Sequence, residues 1–211
     1  MSSGVARERP ARRRLPAQER RGQLMDASIR LLARDGFPRT TADAIAAEAG
    51  VSKGLIWRHF DDLTDLLHQS GLHALRQITQ AVADELDFTA PVPDVIRAAI
   101  AVASRVPTRW PEQHRAIQQL TGSLRDSEGA LVVSAADIDE LFAGQEMLFR
   151  KGQSEGDIRP DIDPRTLAIT YQAAVDAMIE RLEGDPELDP EASASELADL
   201  LLDGMRKKGH Q

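Results

Sequence analysis

Apolar positions near the start of the chain recur at helical spacing. Leu24, Ala27, Ser28, Leu31 and Leu32 fall at steps of 0, 3, 4, 7 and 8, which is one face of an α-helix. The pattern predicts a helix beginning near Pro16, a residue suited to a first helical turn. It ends at Gly36, a C-cap glycine followed by Phe37-Pro38. A second helix starts at Thr41, whose hydroxyl can accept from a first-turn N–H, with Asp43 at the positive end of the dipole. Ile45, Ala46 and Ala49 form its inner face. Gly50 breaks it, and Ser52 offers a second N-cap for a short run over residues 53–60.

Further along, Leu63, Leu66, Leu67, Leu72, Leu75 and Ile78 mark a long helix that ends before Pro91-Val92-Pro93. Helices are predicted over residues 94–105, 111–125, 136–155 and 165–182, and Leu197, Leu200, Leu201 and Gly204 share one face of a last helix. Residues 41–60 contain no period-2 cluster of β-branched residues, and the chain has no internal repeat. The fold class expected is all-α, with about nine helices. Three regions follow: a disordered basic arm over 1–15, a compact helical unit over 16–66, and a larger helical domain over 67–211.

Composition supports this reading. The 211 residues are 42% hydrophobic and 28% charged, the profile of a folded chain, and 4% aromatic, which suits an aliphatic helical core. The absence of Cys excludes disulfides, thiolate metal sites and thiol nucleophiles. The longest apolar run, residues 98–103, is far below the roughly 20 residues that cross a bilayer. No apolar segment follows the Arg-rich start, so a secretory signal is not expected and the location expected is cytoplasmic. Net charge is −8, which by itself disfavours a polyanionic partner, but its distribution reverses that inference. Residues 1–60 hold 12 Lys/Arg against 6 Asp/Glu, whereas the rest of the chain holds 14 against 28. A basic end on an acidic remainder fits a nucleic-acid-facing end, although a solvated basic tail has the same composition.

Residues 41–60 then acquire a specific meaning. A helix-turn-helix needs a small residue where its helices cross, a turn tolerant of unusual backbone angles, and an apolar underside. With Ala42 first, Ala46 is the small fifth residue and Gly50 the ninth, while Ile45, Ala49, Val51 and Ile56 occupy inward sites. An ordinary αα-hairpin is the plainer alternative. On the outward side, Lys53 can donate to guanine, Leu55 can pack on a thymine methyl, and Gly54 allows close backbone approach. Thr41, Ser52, Trp57, Arg58 and His59 are candidate phosphate-side contacts, which set position rather than sequence. Leu55 and Trp57 suit a core equally well.

The stretches running from Arg21 to Phe37 and from Thr40 to Phe60 resemble the N-terminal domain of the TetR family of transcriptional regulators, over about residues 20–67. The Gly156-Asp-Ile-Arg-Pro segment is similar to the approach to the penultimate helix in that family. Two departures stand out. Trp57 replaces the usual Tyr, and Leu63 stands where the family carries a phosphate-contacting Lys. Arg12, Arg13 and Arg14 are expected to compensate by reaching into a minor groove.

The resemblance implies a repressor that binds a palindromic double-stranded DNA operator as a homodimer and is released by a small-molecule effector, without a cofactor or metal. Candidate dimer residues are Leu167, Tyr171, Ala174, Met178, Leu197 and Leu201, on stripes that suit an internal core as well. Candidate effector-lining residues are Trp110, His114, Gln118, Phe142, Met147 and Phe149, most of which also fit ordinary packing. An enzyme is disfavoured: there is no Gly-rich phosphate loop, H-E-x-x-H or nucleophile elbow, and His68 and His73 are five apart, off metal spacing. An effector-independent architectural DNA binder is the remaining alternative.

Overall fold

The computed structural model describes residues 16–123 and 135–206, and these contain ten α-helices and one 3-10 turn. They are α1 (Ala17–Asp35), the 3-10 turn (Phe37–Arg39), α2 (Ala42–Ala49), α3 (Lys53–Ile56), α4 (Leu63–Ala83) and α5 (Val92–Ala103). After these come α6 (Val106–Arg109), α7 (Pro111–Ser123), α8 (Ala135–Glu155), α9 (Pro164–Gly184) and α10 (Pro190–Met205). Among the described residues no helix is long and apolar enough to cross a membrane.

The all-α expectation agrees with this architecture, and the count differs because of proline. Pro93 does not delay α5; it sits inside the first turn, where its missing N–H interrupts no helical bond, so the helix begins at Val92. Pro107 likewise opens the separate short helix α6, where a simple stop was expected. Aspartates start three of the longer helices. Asp62, Asp163 and Asp189 accept from Asp65, Thr166 and Glu191 backbone N–H groups at 2.8, 3.0 and 2.9 Å. Part of the acidic surplus of the second region is therefore capping.

Two apolar cores organise these helices. The first gathers Leu24, Leu32, Ile45, Ile56 and Leu66 from α1 to α4, together with Ala116 and Leu120 from α7. The second joins α5, α8, α9 and α10 through Ile96, Ile100, Phe149, Tyr171 and Leu202, with the Phe149 and Tyr171 rings edge to face at 5.9 Å. The expected boundary at residue 66 falls inside α4, which runs unbroken from the first core toward the second. Side chains press against the α8 backbone at Gly152, from Val92 of α5 and from Ile158. A Cβ added at Gly152 would lie 2.8 Å from Ile158 Cδ1 and 2.9 Å from Val92 Cγ1.

Candidate nucleic-acid interface

The turn between α2 and α3 rests on Gly50, whose φ of 66° and ψ of 36° lie in the left-handed region that favours glycine. Val51 N–H donates to Ala46 O at 2.9 Å and Gly50 N–H to Ala47 O at 3.1 Å, the paired bonds of a Schellman C-cap. Ile45, Ala46, Ala49 and Ile56 are buried beneath this turn. Thr41 caps α2, its hydroxyl accepting from Ala44 N–H at 3.2 Å. Ser52 precedes α3 as expected, but its side chain makes no capping bond and stays exposed. The helix α3 is one turn shorter than the run 53–60 suggested. Residues 57–59 continue as turn, and Phe60 N–H closes back to Ile56 O at 3.1 Å.

Helix α1 fastens this unit from behind with polar side chains. Gln23 Nε2 donates to Ala49 O at 2.8 Å, while Arg21 donates to His59 O and lays its guanidinium 4.2 Å from the Phe60 ring centre. Arg30 and Arg34 both hold Glu48, at 3.0 and 3.2 Å, and these contacts keep its carboxyl below the usual range, the Arg30 hydrogen bond most of all. Asp26 of α1 meets His73 Nε2 and Gln77 Nε2 of α4, each at 3.1 Å. The hydrogen bond with His73 is the main reason its carboxyl is held low, with burial opposing it.

These contacts sort the basic residues by role. Arg21, Arg30 and Arg34 are committed to the unit's own architecture, and Lys53 pairs with Asp43 at 2.8 Å. Arg39 and Arg58 have no ion pair or side-chain hydrogen bond among the described residues, and both are exposed. They stand at the threshold of α2 and just past α3. Sequence reading missed Arg39 because it lies in a turn outside the motif; its signal was a cation immediately before a helix cap. Trp57 is 40% exposed, Gly54 is exposed, and Leu55 and His59 are half-buried. Leu63 is half-buried against the first core, so this position contributes packing where the family has a cation. Arg12, Arg13 and Arg14 lie outside the described residues.

Residues 24–70 match the family described as bacterial regulatory proteins, tetR family. These residues are a TetR-family DNA-binding domain. Among the described residues no three His, Asp or Glu side chains cluster to hold a metal. The chain is 32% identical over 83 residues to the HTH-type transcriptional regulator BetI of Burkholderia mallei, covering 39% of this chain and 43% of that one. It thus spans less than half the length of the curated relatives it matches. Solved structures of the same fold include the regulator FadR of Bacillus subtilis in complex with stearoyl-CoA, with a TM-score of 0.68, 19% identity, and 88% and 99% of the two chains covered. A Saccharomonospora viridis protein in complex with choline has a TM-score of 0.68 and 21% identity, covering 90% and 100%.

Outside the TetR-family domain the structure disperses the expected residues. Phe149, 1% exposed, is enclosed in the second core, and Leu167, Tyr171 and Met178 are buried there too, so their area is spent within the subunit. Burial without a compensating polar partner pushes the Tyr171 hydroxyl's pKa upward. Met147 points to solvent, 69% exposed. Phe142 lies under the Arg165 guanidinium at 5.0 Å, and Trp110 beside that of Arg109 at 4.8 Å. His114 and Gln118 on α7 do converge, both reaching Glu183 on α9 at 3.0 and 2.6 Å. The His114 Nε2 contact is not aligned as a hydrogen bond, which leaves that buried nitrogen unsatisfied. The six expected effector residues border neither cleft identified among the described residues. One cleft, of about 340 Å³, runs along α4 past Leu72, Leu75, Arg76, Thr79 and Ala83 to Asp137; the other, of about 390 Å³, lies by Asp139, Ala143, Glu146 and Arg165. On α9 and α10, Ala174, Leu197 and Leu201 remain half-buried, and Ile169 and Leu200 are 46% and 72% exposed.

Proposed function

We propose that the protein is a transcriptional repressor that binds a palindromic operator as a homodimer and is released by a small molecule. The observation that carries the DNA-binding part is the sorting of cations. The helix-turn-helix presents Lys53, Arg58 and Arg39 outward, with Gly54 unobstructed, while on α1 Arg30 and Arg34 are held by Glu48 and Arg21 by the His59 carbonyl and the Phe60 ring. Lys53, Gly54 and Leu55 face the bases in this reading; Thr41, Ser52, Trp57, Arg58 and His59 face phosphates. Deleting residues 1–14 lowers the salt dependence of binding if Arg12, Arg13 and Arg14 reach the duplex.

Dimerisation uses the outer faces of α9 and α10, where Ala174, Leu197 and Leu201 border the exposed Ile169 and Leu200. Two-fold pairing sets the recognition helices about 34–36 Å apart, one helical turn of DNA. The effector acts between the two cores. Helix α7 packs into the DNA-binding core through Ala116 and Leu120 while its His114 and Gln118 reach α9. A molecule that separates α7 from α9, or that fills the α4 cleft, biases both helices against the recognition unit. The cleft volume lies within the range of small-molecule pockets, roughly 300–1,000 Å³. The neighbours solved with stearoyl-CoA and with choline illustrate how different the ligands of this fold are.

A mobility-shift measurement tests the reading, using the DNA flanking the gene as probe and random duplex as competitor. Retarded probe that resists the competitor is the expected result. Equal affinity for both favours the architectural alternative.

A further inference from the structure

Asp43 is an anion on a face otherwise built to meet a polyanion. It is the second residue of α2, its side chain is 75% exposed, and its Oδ2 lies 2.8 Å from Nζ of Lys53, the first residue of α3, itself 49% exposed. Several other carboxylates of the unit have internal duties. Glu48 faces α1 and is held by two arginines, and Asp62 and Asp65 accept backbone N–H groups at the start of α4. Asp43 has Lys53 as its partner among the described residues, so the carboxylate enters any duplex together with the recognition helix. The two side chains are set on helices locked by the Gly50 turn and by buried Ile45, Ala46 and Ile56, which fixes their relative positions. Ahead of them the way is open: a Cβ on Gly54 would touch nothing within 4 Å.

We propose that Lys53 and Asp43 together read one G·C base pair in each half-site, an inference that rests on the DNA-binding function above. An ammonium only donates and a carboxylate only accepts, so the pair presents a donor beside an acceptor. The major-groove edge of G·C presents the complement: guanine O6 and N7 accept, and cytosine N4 donates. Guanine O6 and cytosine N4 are bonded to each other across the base pair, so they lie one hydrogen-bond length apart, about 2.9 Å. That separation matches the 2.8 Å between Nζ and Oδ2. Lys53 donates to guanine and Asp43 accepts the outward N4 hydrogen of cytosine while their own contact persists. An A·T pair sets thymine O4 and adenine N6 at the same separation, so the distinction lies in the ammonium's side, where guanine offers two adjacent acceptors, O6 and N7, and thymine offers one. The dyad adds no net charge to phosphate attraction, so its contribution is to specificity.

In vitro selection from a randomised duplex library, run with the full chain as wild type, Asp43→Ala and Lys53→Met, tests this. Thermal melts verify that both variants fold, as the exposure of both side chains predicts. The wild type enriches a two-fold-symmetric site with one fixed G·C pair that both variants cease to select, the other positions staying fixed. Exchanging that pair for A·T weakens wild-type binding about tenfold or more and leaves Asp43→Ala nearly indifferent. The proposal is overturned if Asp43→Ala keeps the same base preferences and binds all sequences uniformly more tightly, or if the position lost is A·T. It is also overturned if Lys53→Met keeps all preferences and lowers the salt slope by about 0.9, the mark of a phosphate contact. A wild type that enriches no sequence overturns sequence-specific binding itself, a failure distinct from these.

Discussion

The two cores of this molecule are built on different terms. The first, around α1 to α4 and α7, is assembled from Leu, Ile and Ala with Phe60 as its one buried aromatic, and is tied by polar links: Gln23 to Ala49, Arg30 and Arg34 to Glu48, Asp26 to His73 and Gln77. The second adds a Phe149–Tyr171 ring pair and two methionines to its aliphatic residues, with polar ties at its margin such as Arg165 to Glu146 and Gln153 to Ile162 O. Polar links have directional geometry and hold a small unit in one arrangement, which suits the duplex-binding role proposed for its helices. Apolar packing tolerates repacking, which suits the ligand-responsive role proposed for this region. Helix α7 belongs to both by contact, and so has the placement of a coupling element.

The largest expected effect breaks the second core. Phe149→Ala should destabilise the protein by about 3–5 kcal/mol in chemical denaturation. If the cores respond separately, hydrogen exchange accelerates first in α5, α8 and α9. Leu120→Ala, on α7, should cost about 2–3 kcal/mol. Its increased exchange is expected in α1 and α4; exchange raised only in α8 to α10 would assign α7 to the other core. Gly152→Ala sharpens the contrast in packing. Its new methyl meets Ile158 and Val92 at under 3 Å, so a loss of about 1–2 kcal/mol follows, with DNA affinity unchanged in the folded fraction.

The smallest effect addresses the polar ties. Hydrogen bonding to His73 lowers the Asp26 carboxyl's pKa in the folded state, so Asp26 stabilises the protein above its unfolded value of about 4. That contribution is lost as pH falls through the lower folded value. Because the side chain is partly exposed, Asp26→Asn should cost only a few tenths of a kcal/mol at pH 7 and less near pH 3, read from urea melts at both values. A penalty equal at both pH values would mean that the carboxylate's charge is irrelevant to the tie.

Residues 41–60 were legible in the sequence because a helix-turn-helix is a local object. Gly50 must take a left-handed angle, Thr41 must cap, and Ile45, Ala46 and Ile56 must face inward, and all of these needs act within twenty residues. Helix existence was legible for the same reason, with its periodicity and proline punctuation visible at short range. Side-chain partners were not. Nothing local says that Arg30 and Arg34 face Glu48, that Lys53 is held by Asp43, or that Leu63 turns inward. The stripe from Leu167 to Met178 could equally face a second subunit or its own core, since an apolar helix face is complementary to any other. Only the packing of α9 against α8, and of α10 against α5 and α9, buried Leu167, Tyr171 and Met178 and left Ile169 and Leu200 outside. By itself the sequence determined the helices, their caps and the DNA-reading turn, because each depends on neighbours along the chain. The tertiary structure decided which cations are committed to internal pairs, which apolar faces are spent, and where α7 belongs, because those depend on helices that meet only after folding.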